Sequence, residues 1–252
     1  MDLMGRENVA IMRSRTQGIR HMISPGDVIP YIRMCQEEGV SLQRGMNFRL
    51  HGGTSVILMS LRRGAPYADR VEEEGKVLIY EGHDAPSGRD GPAPKSVDQP
   101  MRTPGGKLTQ NGLFFEAAHR HRRGEAEAEP VRVYEKIKQG IWVYAGVFRL
   151  VGAWQETSNA RQVFKFRLEL ADAAPATDRP DLPDIEHTRV IPTAVKLAVW
   201  KRDGGRCVRC GSADNLHFDH IIPYSKGGSS LVAENIQLLC ARHNLEKHDR
   251  IE

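Results

Sequence analysis

Alternating apolar and polar positions mark five β-strands in the first 170 residues of the chain. The clearest case is the segment 163–170, where Phe164, Phe166 and Leu168 alternate with charged residues such as Lys165. A period of two residues is typical of an antiparallel strand with one buried face. The other predicted strands cover 55–61, 76–80, 131–134 and 141–148. Short strands, glycine-rich turns and few helices predict a curled sheet or barrel.

Two segments lack any such period. Residues 81–109 are rich in glycine and proline, and a loop this long inside a compact domain is usually functional or disordered. Residues 171–184 contain three prolines and four aspartates, which predicts an extended, semi-rigid linker. Residues 192–202 are predicted to form a short helix. The expected organisation is an N-terminal domain (1–170), a linker (171–186) and a C-terminal domain (187–252).

Composition narrows the class of protein. The sequence has no run of about 18 apolar residues and no charged-then-apolar signal pattern, so a cytoplasmic protein without a membrane partner is expected. The net charge of +4 is compatible with a phosphate-backbone partner, although many proteins that bind no nucleic acid reach it. Cys35 stands apart from the other cysteines and is expected to be a small buried hydrophobe.

The C-terminal domain contains two pairs of metal-ligating residues. Two residues separate Cys207 from Cys210, and two separate Cys240 from His243. Each pair can form one half of a tetrahedral Zn²⁺ site, and the four side chains fill every position of it. We therefore predict a closed, structural zinc site whose binding energy contributes to folding. The alternative, two unrelated pairs, is disfavoured by the repeated spacing.

Between these pairs, and directly after the second one, lie side chains of different chemistry. Asp219 and Asn244 offer oxygen ligands, which suit Mg²⁺ or Mn²⁺ rather than zinc. His220 follows Asp219 directly, and because a free imidazole changes charge near neutral pH, a histidine here could serve as a general base that takes a proton from water. Taken singly, an Asp-His pair is commonly a surface pair, and Asn235 could be a turn residue.

In order and spacing this segment resembles the HNH nucleases, which have a ββα-metal fold and hydrolyse DNA phosphodiesters. The resemblance implies that His220 is the general base and that Asp219 and Asn244 hold the catalytic metal ion. It implies that Asn235 orients the histidine and its loop. Lys247, one helical turn after Asn244, is predicted to reach the scissile phosphate.

Several stretches between Gly39 and Leu170 resemble the SRA family, whose domains bind 5-methylcytosine in DNA and flip it into a pocket. The matching pieces are 66–71, 75–82, 97–99, 108–113, 130–133 and 144–154. A flipped base needs two flat apolar faces and an acceptor for its exocyclic amino group. Tyr67 and Tyr80 are the predicted faces, and Asp69 is the predicted acceptor. The alternative is that both tyrosines are ordinary aromatic residues of β-strands that pack inside a barrel and bind no base.

The family often shows consecutive acids after the first tyrosine, whereas here Asp69 stands between an alanine and an arginine. The family's acceptor position could therefore fall one or two residues away from Asp69 in this sequence. The segment 81–109 lies where the family carries a loop that enters the duplex. Arg89, Lys95 and Arg102 in this segment are predicted to act there or to contact phosphates.

The whole chain resembles an SRA-HNH, modification-dependent restriction endonuclease of the α+β class. The implied partner is double-stranded DNA carrying 5-methylcytosine or 5-hydroxymethylcytosine, and the implied cofactors are Zn²⁺ and either Mg²⁺ or Mn²⁺. Cutting both strands with one site per chain argues for a homodimer. Two alternatives stay open: a sequence-specific HNH endonuclease or nickase that reads unmodified bases, and a non-catalytic reader of modified DNA.

Overall fold

The computed structural model describes residues 23–51, 53–62, 64–87, 91–171, 191–223, 226–248 and 250–251. The strands are Asp27–Pro30 (β1), Met46–Asn47 (β2), Ser55–Met59 (β3), Arg70–Glu72 (β4), Val77–Glu81 (β5), Glu129–Lys138 (β6), Ile141–Ser158 (β7), Arg161–Leu170 (β8), Leu216–His220 (β9) and Ile236–Cys240 (β10). The helices are Tyr31–Glu38 (α1), Gln110–Arg122 (α2), Thr193–Arg202 (α3) and Ala241–Lys247 (α4). Arg89 and nearly all of the predicted linker lie outside the described residues.

The described strands form one mixed sheet with β7 at its centre. The first half of β7 pairs with β1 and β6, and its second half, from Phe148 onward, pairs with β8. β3 runs parallel to β6, and the other described strand pairs are antiparallel. A register shift between Leu150 and Gly152 interrupts the β7–β8 pairing, and such bulges bend and twist a strand. The predicted α+β class and curled sheet are confirmed.

The main core lies between this sheet and α2. Phe114 of α2 packs against Phe166 of β8, with ring centroids 5.9 Å apart. Thr109 caps the start of α2, because its hydroxyl accepts a hydrogen bond from the backbone of Gly112. Sequence patterns did not predict α2, whose glycine and basic residues obscure its apolar period. Among the described residues, no helix is long and apolar enough to cross a membrane.

One residue of β8 departs from the predicted alternation. Lys165 was expected on a polar face, yet its side chain is only 2% exposed. Its Nζ lies 2.9 Å from an oxygen of Glu81 and donates to the carbonyl of Ala68 at 3.2 Å. Buried Arg161, also on β8, pairs with Asp84 at 2.7 Å. Buried charges need such partners, and here they tie the segment that follows β5 to β8.

β1 joins the C-terminal strands to the rest of the sheet. Its Val28 lies opposite Val143 of β7 on one side and opposite Leu216 of β9 on the other. In the second pairing, Asp27 lies opposite His217, and their nearest side-chain oxygen and nitrogen are 2.5 Å apart. An apolar cluster spans the junction and contains Val28, Ile137, Val143, Ile191, Val195, Val199, Leu216, Phe218, Ile236 and Leu238. The two parts of the chain therefore share both a sheet and a core.

A buried ion pair also crosses this junction. On β6, Glu135 places Oε2 2.5 Å from Nζ of Lys196 on α3, and its other oxygen accepts from the hydroxyl of Thr193. The side chains of Glu135 and Lys196 are 4% and 3% exposed. Removing one partner of such a pair leaves an uncompensated charge away from water.

We expect Glu135→Gln to lower the free energy of unfolding by about 3 kcal/mol or more, measured by urea denaturation. The double variant Glu135→Met/Lys196→Met is expected to lose less, because it leaves neither charge unpaired. Glu125→Gln, which breaks an exposed pair with Arg123, serves as the control and should leave stability unchanged. Equal unfolding free energies for Glu135→Gln and Glu125→Gln would contradict this interpretation of the junction.

Candidate functional site

Tyr67, Asp69 and Tyr80 line one cleft of about 600 Å³, together with His83. We call it the aromatic cleft and define it by these four residues. Its volume lies within the range of small-ligand sites, about 300 to 1,000 Å³. The structure thus brings the three predicted pocket residues to one place. Sequence patterns did not single out His83.

Tyr67 forms one wall of the aromatic cleft and is half-buried. Its ring lies nearly parallel to the imidazole of His83, with centroids 5.9 Å apart and 26° between the planes. Nζ of Lys95 lies 4.2 Å from the centroid of the Tyr67 ring and pairs with Asp84 at 2.9 Å. Lys95, predicted to act on DNA, therefore packs over a wall of the cleft.

Arg102 lies in the loop before α2, and its side chain is 56% exposed. It donates to the carbonyl of Gly106 at 2.9 Å and lies 3.6 Å from Glu116. Both contacts are with solvent-facing groups, so the guanidinium remains accessible to a phosphate. Arg89, the third predicted DNA contact, lies outside the described residues.

Tyr80 and Asp69 supply the inner wall of the aromatic cleft. Tyr80 is 3% exposed and packs in the main core, while its hydroxyl reaches the carbonyl of Leu58 at 3.5 Å. Asp69 accepts hydrogen bonds from the backbone N–H of Glu81 at 3.0 Å and of Ser60 at 3.5 Å. Burial outweighs these two bonds and raises the pKa of Asp69 to about 7. Near neutral pH the carboxyl is therefore present in both protonation states.

Two amide side chains hold the segment that carries His83. Asn111 of α2 accepts from the backbone N–H of His83 and donates to its carbonyl, both at 2.8 Å. Gln99 donates to the carbonyl of Gly82 at 2.6 Å and accepts from the backbone of Phe164 at 2.8 Å. Gly82 is required between them, because a Cβ there would lie 2.7 Å from Oδ1 of Asn111. The cleft is thus built on fixed backbone.

The four predicted zinc ligands form one cluster, with their ligating atoms within 4.8 Å of one another. Nδ1 of His243 lies 3.3 Å from the sulfur of Cys207 and 3.4 Å from that of Cys240, and the sulfurs of Cys210 and Cys240 are 3.8 Å apart. Around a tetrahedral zinc ion, usual bond lengths place two sulfurs about 3.8 Å apart and sulfur and nitrogen about 3.6 Å apart. The cluster therefore fits zinc.

The protonation of Cys207 agrees with that fit. Burial opposes ionisation of its thiol, but hydrogen bonds from the backbone of Cys240 and Cys210 outweigh burial and lower the pKa to about 6. A lowered thiol pKa favours the thiolate, which is the form that binds a metal ion.

Asp219 and His220 end β9 beside Lys247 of α4. Nζ of Lys247 lies 3.0 Å from Oδ2 of Asp219 and donates to the carbonyl of His220 at 2.6 Å. Lys247 is 1% exposed, so its ammonium is engaged by the protein, whereas the sequence predicted contact with the scissile phosphate. Nε2 of His220 lies 2.7 Å from the hydroxyl of Ser230, which sequence patterns did not single out.

Asn235 closes the loop that follows His220. Its Oδ1 accepts from the backbone of Ile222 at 2.8 Å, and its Nδ2 donates to the carbonyls of Ile222 at 3.1 Å and Ser229 at 3.0 Å. These contacts tie Asn235 to both ends of the loop, at Ile222 and at Ser229. They reach the loop and not the imidazole itself.

Asn244 is half-buried on α4, one turn before Lys247, so both side chains lie on the same side of the helix. Together with Asp219 it offers one amide and one carboxylate oxygen. Magnesium usually takes few ligands from protein and completes its shell with water and substrate phosphates. The residues present therefore suit such an ion.

A strand that ends in Asp-His, a Cys/His cluster that fits zinc and a short closing helix together form one module beside the curled-sheet domain. A family model described as SAD/SRA domain matches residues 17–173, and one described as HNH endonuclease matches residues 207–250. The chain belongs to the SAD/SRA domain family and carries an HNH endonuclease domain. The predicted SRA-HNH architecture is confirmed, and an HNH endonuclease domain beside an SRA domain supports, at this coarse level, a nuclease directed to DNA.

Several solved structures are similar to part of the chain. The SRA domain of SUVH5 bound to fully hydroxymethylated CG DNA is 25% identical, with a TM-score of 0.42 over 65% of this chain and 95% of that chain. A complex of the same domain with methylated CHH DNA is 22% identical, with a TM-score of 0.41 over 62% and 93%. SUVH6 of Arabidopsis thaliana in complex with SAM is 21% identical, with a TM-score of 0.40 over 69% and 28%. No curated protein matches the chain.

Proposed function

We propose that this chain is a modification-dependent DNA endonuclease. Its SRA domain would bind 5-methylcytosine or 5-hydroxymethylcytosine flipped out of the duplex, and its HNH domain would hydrolyse phosphodiester bonds nearby. The observation that carries the proposal is the aromatic cleft, in which two tyrosines and a buried carboxyl converge beside an open space. A base-recognition pocket needs this combination of flat apolar faces and a hydrogen-bonding group for the base edge.

Asp69 suits the edge of cytosine. On that edge the 4-amino group donates and the neighbouring ring nitrogen N3 accepts. A protonated carboxyl complements both groups, since its carbonyl oxygen accepts and its hydroxyl donates. Because the pKa of Asp69 is raised to about 7, the protonated form is available without a large free-energy cost.

This assignment predicts how substitutions at Asp69 affect binding. Asp69→Ala should weaken binding to DNA with modified cytosine by about tenfold or more, since it removes both hydrogen bonds to the base. Asp69→Asn should retain most of the affinity, because the amide offers an acceptor and a donor in the same place. Wild-type affinity should fall as the pH rises above about 7, where the carboxyl loses its proton, while the affinity of Asp69→Asn stays level.

The measurement is the dissociation constant of a modified duplex between pH 6 and pH 8.5, with EDTA present to prevent cleavage. If Asp69→Asn lost as much affinity as Asp69→Ala, an ionised acceptor would be required instead of a protonated carboxyl.

For hydrolysis, we propose that His220 takes a proton from a water molecule. The oxygen of that water attacks phosphorus, and the bond between phosphorus and the 3′-oxygen breaks. The hydroxyl of Ser230 would hold the imidazole through Nε2. Lys247 is then a positioning residue that holds Asp219 and the backbone of His220. Mg²⁺ or Mn²⁺ held by Asp219 and Asn244 would stabilise the negative charge that develops on the phosphoryl oxygens and the leaving oxygen.

Two further elements complete the proposal. Arg89 and Arg102 would contact phosphates or enter the duplex, and Lys95 would join them once Tyr67 engages a base. A single HNH site cuts one strand at a time, so cleavage of both strands calls for two chains and hence a homodimer.

The test is cleavage of one plasmid in three matched forms, with unmodified cytosine, 5-methylcytosine or 5-hydroxymethylcytosine. Each form is incubated with Mg²⁺ or Mn²⁺, and EDTA serves as the control. We expect cutting only of modified DNA and only with the metal ion. Equal cutting of all three forms would retain the nuclease and reject the modified-base pocket, and no cutting under any condition would favour a non-catalytic reader.

A further inference from the structure

His83 is the residue of the aromatic cleft to which the proposed function assigns no role. Its imidazole lies nearly parallel to the Tyr67 ring, and its Nε2 lies 3.5 Å from the hydroxyl of Tyr80. It therefore contacts both tyrosines that are proposed to hold the base. Among the described residues, no other side chain hydrogen-bonds to the imidazole.

The imidazole is held in a neutral form. Burial is the main reason that the pKa of His83 is lowered to about 4. The positive charge of Arg44 also lowers this pKa, and its effect is larger than the opposite effect of Asp84. A neutral imidazole has one nitrogen that donates and one that accepts a hydrogen bond. Because Asn111 bonds the His83 backbone on both sides, the ring projects from a fixed point of the chain.

The backbone of Gly45 packs closely against these polar atoms. A Cβ on Gly45 would lie 2.6 Å from the hydroxyl of Tyr80 and 2.9 Å from Nε2 of His83, so a side chain at this position would displace them. Gly45, Tyr80 and His83 all line the cleft, and the two polar atoms therefore lie together at one part of its wall. A methyl group of the base that reached these atoms would face two hydrogen-bonding groups without satisfying either, whereas a hydroxyl could bond to both.

We propose that His83, together with the Tyr80 hydroxyl, determines which substituent the cleft accepts at carbon 5 of the flipped cytosine, and that it favours hydroxymethyl over methyl. This inference rests on the proposed function. A site built to hydrogen-bond a hydroxyl discriminates against the analogue that lacks it, because its own polar groups are then left unpaired. His83 is thus a specificity-determining residue and takes no part in the hydrolysis.

The experiment measures dissociation constants for three duplexes that differ at one cytosine, carrying hydrogen, methyl or hydroxymethyl at carbon 5, with EDTA present. The main variant is His83→Phe, which keeps an aromatic ring against Tyr67 and removes both nitrogens. The quantity compared is the ratio of the two affinities within each variant, in which a general loss of binding cancels. For His83→Phe, the affinity for the hydroxymethylated duplex relative to the methylated one should fall by about three- to tenfold, the effect of one hydrogen bond.

Gly45→Ala supplies a second, steric test. The added methyl would come too close to the Tyr80 hydroxyl and to Nε2 of His83, so it would displace them and should also reduce the preference for hydroxymethyl. His51→Phe, an exposed histidine outside the cleft, is the matched control and should leave all three constants unchanged. Thermal unfolding of each variant checks that the fold is intact.

The outcomes separate the two proposals. Wild type could prefer modified duplexes while both His83→Phe and Gly45→Ala keep the wild-type ratio of hydroxymethyl to methyl binding. This result would overturn the role of His83 and leave the proposed function standing. Equal wild-type binding of all three duplexes would overturn the proposed function and this inference with it. A reduced ratio in both variants, with the fold intact by thermal unfolding, would support the role of His83.

Discussion

Replacing His220 by alanine is expected to lower the rate of DNA cleavage by about 100-fold or more while leaving DNA affinity unchanged. The imidazole is the group placed to take a proton from water, and alanine cannot do so. The variant should keep its fold, because the contacts of residue 220 with Lys247 and Ile236 use the backbone. The measurement is single-turnover cleavage of a modified duplex, alongside its dissociation constant in EDTA.

His248→Ala is the matched control, because His248 is exposed at the end of α4. Its cleavage rate should equal that of wild type. Ser230→Ala, which removes the hydroxyl that holds Nε2 of His220, should give a smaller decrease than His220→Ala. Retention of wild-type cleavage by His220→Ala would reject it as the general base and direct attention to another group near Asp219.

Removing the zinc site is expected to have the largest effect on stability. Apparent binding free energies of structural zinc are about 10 kcal/mol or more in zinc-finger peptides, and much of that energy is folding energy. Cys240→Ser should therefore lose bound zinc and unfold at a lower temperature. Cys207 and Cys240 belong to the apolar cluster that spans the junction of the two domains, so we also expect the loss to weaken the SRA domain.

Zinc content per chain, measured by elemental analysis, and thermal unfolding together test this expectation. Cys35→Ser is the matched control, because Cys35 lies on α1 and takes no part in the cluster. Wild type and Cys35→Ser should each carry one zinc ion per chain. Unfolding at the same temperature for Cys240→Ser and Cys35→Ser would show that the cluster does not support the fold.

The four Cys/His residues of the C-terminal cluster could be grouped from the sequence for a physical reason. A tetrahedral metal ion constrains the spacing of ligands that are close in the chain, so Cys207 and Cys210 can be recognised locally. The structure brings these residues and their partners into one cluster. The spacing of residues could not predict that Lys247 is buried, because its burial depends on how α4 packs against β9.

In the SRA domain the elements were easier to predict than their contacts. The strands were found where period-two alternation is strong, but β7 continues to Ser158, past the predicted end at residue 148, because β8 pairs with its second half. The support of the aromatic cleft depends on pairs far apart in the sequence. Asn111 and His83 are 28 residues apart, and Gln99 and Phe164 are 65 apart. No local pattern encodes such pairs.

The pairing of β1 with β9 determines what could be exchanged between related enzymes. A chimera that joined another nuclease at the linker would remove β9 and leave β1 with an unpaired edge. Exposed strand edges promote aggregation. A functional graft would have to bring a strand that matches Asp27 and Val28, or carry its own version of β1. The unit that recombination can move therefore includes a strand near the start of the chain, more than 150 residues before the nuclease it accompanies.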